Sequence, residues 1–134
     1  MGTTIKNVYI VHHSHTDIGY TDLQEQVVYN HIYNIKKAIR MIDEGYQKNT
    51  DMRFFKWNCE TYYCVEQFLA HAEEAENELF FELVRRGNIG ISGTYLNFND
   101  LVDCGALSRK TKKMQELFTA HGLPVNAAMN ADIN

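Results

Sequence analysis

The chain has 134 residues, 45% of them apolar and 22% charged, which is the composition of a soluble globular domain and excludes a disordered or collagenous chain. Its length makes one domain the ceiling. Thirteen basic against seventeen acidic side chains leave a net charge of −4, so there is no basic stripe for a phosphate backbone and nucleic acid is excluded as a partner.

The first apolar run, Val8 to Val11, is too short for a signal-peptide core or a membrane span, and no small-residue cleavage site follows it. A cytoplasmic protein with no membrane partner is therefore expected. The same run sits within the first β-rich segment, Lys6 to Val11. Next, Val28, Ile32, Ile35, Ile39 and Ile42 recur every three or four residues, the stripe of an amphipathic helix, with Gly45 as its stop signal. A second strand is expected over Met52 to Trp57. A second helix follows through Val65, Phe68, Leu69, Ala72, Leu79 and Leu83, closed by Gly87 after Arg85 and Arg86, whose charge suits a helix C-terminus. The third strand spans Ile89 to Leu96. The third helix carries Leu107, Met114, Leu117 and Phe118 and ends at Gly122, and Pro124 opens a fourth strand, Val125 to Ala131.

This β-α-β-α-β-α-β order specifies an α/β fold with a parallel sheet and right-handed crossovers. Reactive residues of such sheets gather where strands hand over to helices. There is no linker or low-complexity stretch. The last strand runs straight to Asn134 with no helix to cover the sheet edge, so residues 1–134 are expected to be part of a longer protein. Cys59, Cys64 and Cys104 are odd in number and lack CxxC spacing, and are expected to be reduced thiols.

The densest polar cluster, His12-His13-Ser14-His15-Thr16-Asp17, follows the first strand directly and precedes Gly19 and Tyr20. In extended chain, residues two apart point the same way, so His13, His15 and Asp17 can converge on one centre. Imidazole nitrogen with carboxylate oxygen and no sulfur suits a catalytic zinc site with an open position. The plainer reading, histidines that cap the strand and the following helix, stays beside it, and spacing does not fix which histidine ligates. An HxH pair also suits amidohydrolase and histidinol-phosphatase-type sites. Asp132 ends the otherwise small and apolar stretch Ala127 to Ala131, on the face expected to carry the histidines. An unpartnered carboxylate there is costly to desolvate, so a metal or cation is expected beside it; the alternative is a cap for a following helix.

His13-Ser14-His15-Thr16-Asp17-Ile18-Gly19-Tyr20 resembles the His-Ser-His-Asn-Asp-Pro-Gly-Trp signature of glycoside hydrolase family 38 α-mannosidases. Phe54 to Glu60 resembles that family's second strand, Phe-x-Trp-x-Glu, and Arg86 to Tyr95 its third. Met129-Asn130-Ala131-Asp132 falls where the family has the strand ending in its nucleophilic aspartate. The resemblance implies the first half of a seven-stranded β/α barrel, a truncated N-terminal catalytic domain over residues 1–134. It implies zinc as cofactor, held by His15, Asp17 and Asp132, with Asp132 also the nucleophile of a retaining hydrolysis of terminal α-mannosides. A further histidine ligand and the acid/base carboxylate would follow Asn134, and the fragment alone is expected to be inactive. Tyr20, where the family usually has tryptophan, would offer an aromatic floor to a mannoside, or pack as a rim aromatic.

Ile18, Tyr20, Tyr95 and Ile133-Asn134 depart from the family pattern and bear on the sugar more than on the chemistry. The rival readings are a metal-dependent deacetylase or amidohydrolase, with metal-bound water as nucleophile, and a complete, metal-free flavodoxin-like binding module. Oligomerisation is left open. Glu60 faces the site and could reach a hydroxyl, but reads first as a helix-start carboxylate. Asn97, Asn99, Asp100 and Asp103 read as a solvated, helix-capping loop. His12 reads as a residue beside strand one, and His31, His71 and His121 as surface or helix-end groups.

Overall fold

A computed structural model describes residues 4–15, 17–97, 102–123 and 125–132. Asn99, Asp100, Pro124 and Ile133-Asn134, to which the sequence assigns loop, strand-start and chain-end roles, lie outside the described residues, as does Thr16 of the polar cluster.

Helix α1 spans Gln24–Gln47, strand β1 Trp57–Cys59, helix α2 Tyr62–His71, helix α3 Glu74–Arg85, strand β2 Ile89–Ile91 and helix α4 Cys104–Ala120. The two strands are parallel, with Trp57 opposite Ile89, Asn58 opposite Gly90 and Cys59 opposite Ile91, and are joined through α2 and α3 as a parallel pair requires. The chain is thus mixed α/β. No described helix is long and apolar enough to cross a membrane.

All four expected strands are shorter than expected or absent. Lys6 to Val11 forms no ladder; Val8, Tyr9 and Ile10 are mostly exposed, so among the described residues the segment has no neighbour to reward its β-rich composition. Pairing begins only at its end, where His13 bridges Asn58 in parallel and the His12 carbonyl accepts the Asn58 N–H at 2.8 Å. The expected strand Met52 to Trp57 is a turn up to Lys56, and β1 starts at its last residue. Of Ile89 to Leu96 only the first three residues are strand. Val125 to Ala131 is not a strand either: it is held to the end of β2 by the Gly93 N–H on the Ala127 carbonyl at 2.8 Å and by side chains described below.

The helices follow the apolar periodicity closely, with three corrections. The buried stripe of α1 is Val27, His31, Ile35, Ala38, Ile39 and Ile42, turned slightly so that Val28 and Ile32 are only half buried. Gly45 does not end α1 but lies inside it, where an added Cβ would run into the Met52 side chain, and the left-handed residue is Asn49 with φ 55°. The second expected helix is two. Ala72 is extended with ψ 155°, and Glu73 and Glu76 form a reciprocal capping box that starts α3 afresh. The other two glycines behave as expected, with φ of 72° at Gly87 and 69° at Gly122. Asp103 caps α4 by accepting the Ala106 N–H at 2.6 Å.

The core lies between the helices and the back of the strands. Tyr62, Phe68, Phe80, Phe118, Ile42, Leu83, Ile89 and Met114 are fully buried in it. Its aromatic rings are in contact, Phe68 with Phe80 at 5.2 Å and Phe81 with Phe118 at 5.8 Å between centroids. Cys59 and Cys64 are buried and Cys104 exposed, and all three are free thiols. This packing fixes the C-terminal ends of the strands, where the polar residues collect.

Candidate metal centre

The site is assembled from four places in the chain. His13 and His15 leave the paired end of the N-terminal segment, Glu60 follows β1, Asn97 follows β2, and Asp132 ends the fourth segment. Ser14 between the histidines is tied back to α1 by the Asn34 side-chain amide at 2.9 Å, which holds the polar segment against the helix.

His15, Asp17 and Asp132 come together, each offering one ligand atom, all within 4.8 Å of one another. His15 Nε2 stands 3.6 Å from Asp17 Oδ1 and 3.7 Å from Asp132 Oδ2. These separations are too long for direct hydrogen bonds. Nitrogen and oxygen ligands about 2.0–2.2 Å from a tetrahedral zinc lie about 3.3–3.6 Å apart, so the two separations from His15 are close to those of ligands on one ion. The surplus of carboxylate around one imidazole, and a cluster open to solvent on one side, fit a divalent cation as well. Asp132 has φ 50°, a left-handed conformation that aspartate tolerates better than most residues.

The other ring nitrogen of His15 is committed. Nδ1 donates to Glu60 Oε1 at 2.6 Å, and this bond, ahead of the opposing effect of burial, raises the His15 pKa from 6.5. Glu60 is only 5% exposed. Burial works against its charge, but hydrogen bonds from Asn97 at 2.7 Å and from His15 outweigh it and hold the carboxyl below its ordinary 4.5. His13 does not enter the ligand cluster; its Nδ1 lies 3.5 Å from Glu60 Oε2. Tyr20 sits in the turn after the cluster with 91% of its surface exposed.

Beside the cluster is a cleft of about 270 Å³ lined by Asp17, Ile18, His31, Glu60, Thr61, Leu96 and Asn97. His31, expected on the surface, is buried. Burial pushes its pKa down from 6.5, giving a neutral ring that can both donate and accept a hydrogen bond. The signal was present: His31 lies four residues after Val27 and four before Ile35, on the buried stripe of α1. Glu60 and Asn97 were also undervalued. Glu60 does stand just before the N-cap of α2, but its hydrogen-bond partners are 45 and 37 residues away in sequence, and no local pattern encodes such pairs.

Residues 6–109 match the model of the glycosyl hydrolases family 38 N-terminal domain. The chain belongs to this family. The family 38 match covers most of the chain and takes in His13, His15, Asp17, Tyr20, Glu60 and Asn97, in keeping with three of the four motifs that carried the resemblance; Asp132 lies after the matched residues. No curated protein and no solved structure matches the chain.

Proposed function

We propose that this chain is the first part of a barrel catalytic domain of a zinc-dependent, retaining exo-α-mannosidase, with His15, Asp17 and Asp132 as its metal ligands and Asp132 as nucleophile. The observation that carries the reading is the convergence of these three side chains, spaced for a shared ion, in a member of family 38. A zinc ion bound there would act as template and Lewis acid for vicinal sugar hydroxyls.

The chain's own residues account for the rest. Asp132 is solvent-facing, so its carboxylate can attack an anomeric carbon from the face opposite the departing oxygen and form a glycosyl ester that water later hydrolyses. A second carboxylate must protonate the departing oxygen, and the family resemblance assigns it, with a further histidine ligand, to sequence following Asn134. His31 and Asn97 line the cleft next to the ligands and can orient sugar hydroxyls. The exposed ring of Tyr20 offers an apolar face to a mannoside. Family membership favours this over deacylation, in which Asp132 would only bind the metal or act as base.

Cobalt(II) titration of the longer protein that carries the remaining ligand, followed by visible absorption, tests the metal reading. Saturable binding of one ion, weakened at least about tenfold by Asp17→Ala or Asp132→Ala, is expected. A wild-type protein with the full ligand set that shows no saturable binding overturns it. For the nucleophile, the longer protein treated with a 2-fluoro-mannosyl reagent should carry the sugar on Asp132, and an adduct elsewhere or none refutes that role.

A further inference from the structure

Glu60 and Asn97 make a continuous hydrogen-bonded chain between the two halves of the ligand set. His15 Nδ1 and Asn97 Nδ2 both donate to Glu60 Oε1, at 2.6 and 2.7 Å. Asn97 Oδ1 in turn accepts the backbone N–H of Ala131 at 3.1 Å, one residue before Asp132. The Asn97 amide has only one sensible orientation here, because its nitrogen must face a carboxylate and its oxygen a backbone N–H.

We propose that Glu60 and Asn97 are positioning residues which hold His15 and the Ala131-Asp132 peptide in a fixed mutual geometry and commit His15 to binding a cation through Nε2. The inference rests on the metal reading above but goes beyond it, to residues that touch no ion. Its physical basis is threefold. An imidazole whose Nδ1–H is held by a carboxylate presents the lone pair of Nε2, in a fixed plane, and is a more basic ligand. Glu60 can play this part because it is buried, because Oε1 meets both His15 and Asn97, and because Oε2 faces His13 at 3.5 Å. The fourth segment has no strand ladder to fix it, so the placing of Asp132 relies on such side-chain bonds, and Asn97 supplies the one nearest to it.

The test uses Glu60→Ala and Asn97→Ala in the same longer protein, with folding checked by circular dichroism. Asn97 is only half buried and lies outside any helix or strand, so its variant keeps a usable fold if the Glu60 variant does not. Two readouts are needed. Nitrogen-correlated NMR of the metal-free protein, at a pH alkaline enough to leave His15 neutral, should show the Nδ1–H tautomer in the wild type and a shift to the Nε2–H form in Glu60→Ala. Cobalt affinity should fall about 10- to 100-fold in either variant. Wild-type binding that both folded variants match within about twofold, with the His15 tautomer unchanged, overturns this inference alone. A wild-type protein with the full ligand set that binds no cobalt overturns the metal reading and this inference with it.

Discussion

Asn88 is the buried polar residue on which the approach to the site depends, and replacing it gives a sharp test of the fold. It is 1% exposed. Its Nδ2 donates to the carbonyls of Met52 at 2.7 Å and Phe55 at 3.0 Å, and its Oδ1 accepts the Tyr46 hydroxyl at 3.0 Å. One side chain therefore pins the 52–55 turn and the end of α1 to the start of β2, and the turn feeds β1 and then Glu60. Asn88→Ala removes three hydrogen bonds of net worth about 1 kcal/mol each, a loss of about 3 kcal/mol. The half-buried carbonyls of Met52 and Phe55 regain some water, which keeps the figure from rising further. Tyr46→Phe deletes one of the three and should cost about 1 kcal/mol. Urea unfolding read by tryptophan fluorescence, with the slope unchanged, measures both; at a slope of about 2 kcal/mol per molar the first midpoint falls by about 1.5 M. A loss under about 1 kcal/mol for Asn88→Ala, or an equal loss for Tyr46→Phe, would refute the assignment of this residue as a three-way tie.

Glu66 ties α2 to α4 and the loop after β2, accepting from the Tyr95 hydroxyl at 2.8 Å, Lys110 at 3.0 Å and Lys113 at 3.1 Å. Burial raises its pKa, but these bonds prevail and the carboxyl sits below 4.5. Because the folded value is the lower one, its stabilisation is complete above 4.5 and is lost as pH falls through the folded-state pKa. Thermal melts should therefore show Glu66→Gln less stable than wild type at neutral pH and the gap closing in acid; a gap that persists unchanged would count against the ionised role. Gly87→Ala should cost about 1–2 kcal/mol from the backbone alone, since φ is 72° and the nearest atom an added Cβ would meet, Lys56 Nζ, is 3.8 Å away. A melting temperature equal to that of wild type would show that the residue relaxes out of the left-handed region.

The helices were legible because each buries one face, and a period of three to four residues records that burial directly. His31 belongs to the same record, and was missed only because a polar residue on an apolar stripe was read by type and not by position. The strands were less legible. A composition rich in Val, Ile and Tyr marks Lys6 to Val11 as a strand, yet a strand also needs a neighbour, and the described residues pair with it only at His12 and His13. The break at Ala72 was concealed by apolar spacing that stays in register across it, although the Glu73-Glu76 box stood in the sequence. At the site, the convergence of His15 and Asp17 was legible in two-residue spacing in extended chain, but the same spacing pointed to His13, which meets Glu60 instead, and only the family resemblance singled out His15. Asp132 stood out as a carboxylate ending an apolar run. Glu60 and Asn97 were not, because their role exists only across separations of about forty residues, as the bonds from His15 and to Ala131 make plain.

The fourth segment raises the question of what holds Asp132 when no ladder does, and two hydroxyls answer much of it. Ser92 Oγ accepts the Met129 N–H at 2.9 Å and lies 2.8 Å from Thr94 Oγ1, which donates to the Met129 carbonyl. Both hydroxyls are buried. Side chains that follow β2 thus take the place of a strand partner for Met129, and Asn97 does the same for Ala131. Thr94→Val keeps the shape but removes the nearer donor, leaving the Met129 carbonyl the longer bond from Ser92 Oγ at 3.4 Å, at a cost of about 1–3 kcal/mol. If the docking is local, most of that loss should appear as opening of residues 129–132 and little as global unfolding. Hydrogen exchange should then quicken at Met129 and Ala131 while the amides of Trp57 and Asn58, bonded to Asn88 and His12, keep their protection. Cobalt affinity should fall with it, yet the His15 tautomer should not change, because the Glu60 bond is untouched. Equal loss of protection at Trp57 and Met129 would mean that the segment opens only with the whole domain, and that the hydroxyl pair does not place Asp132 independently.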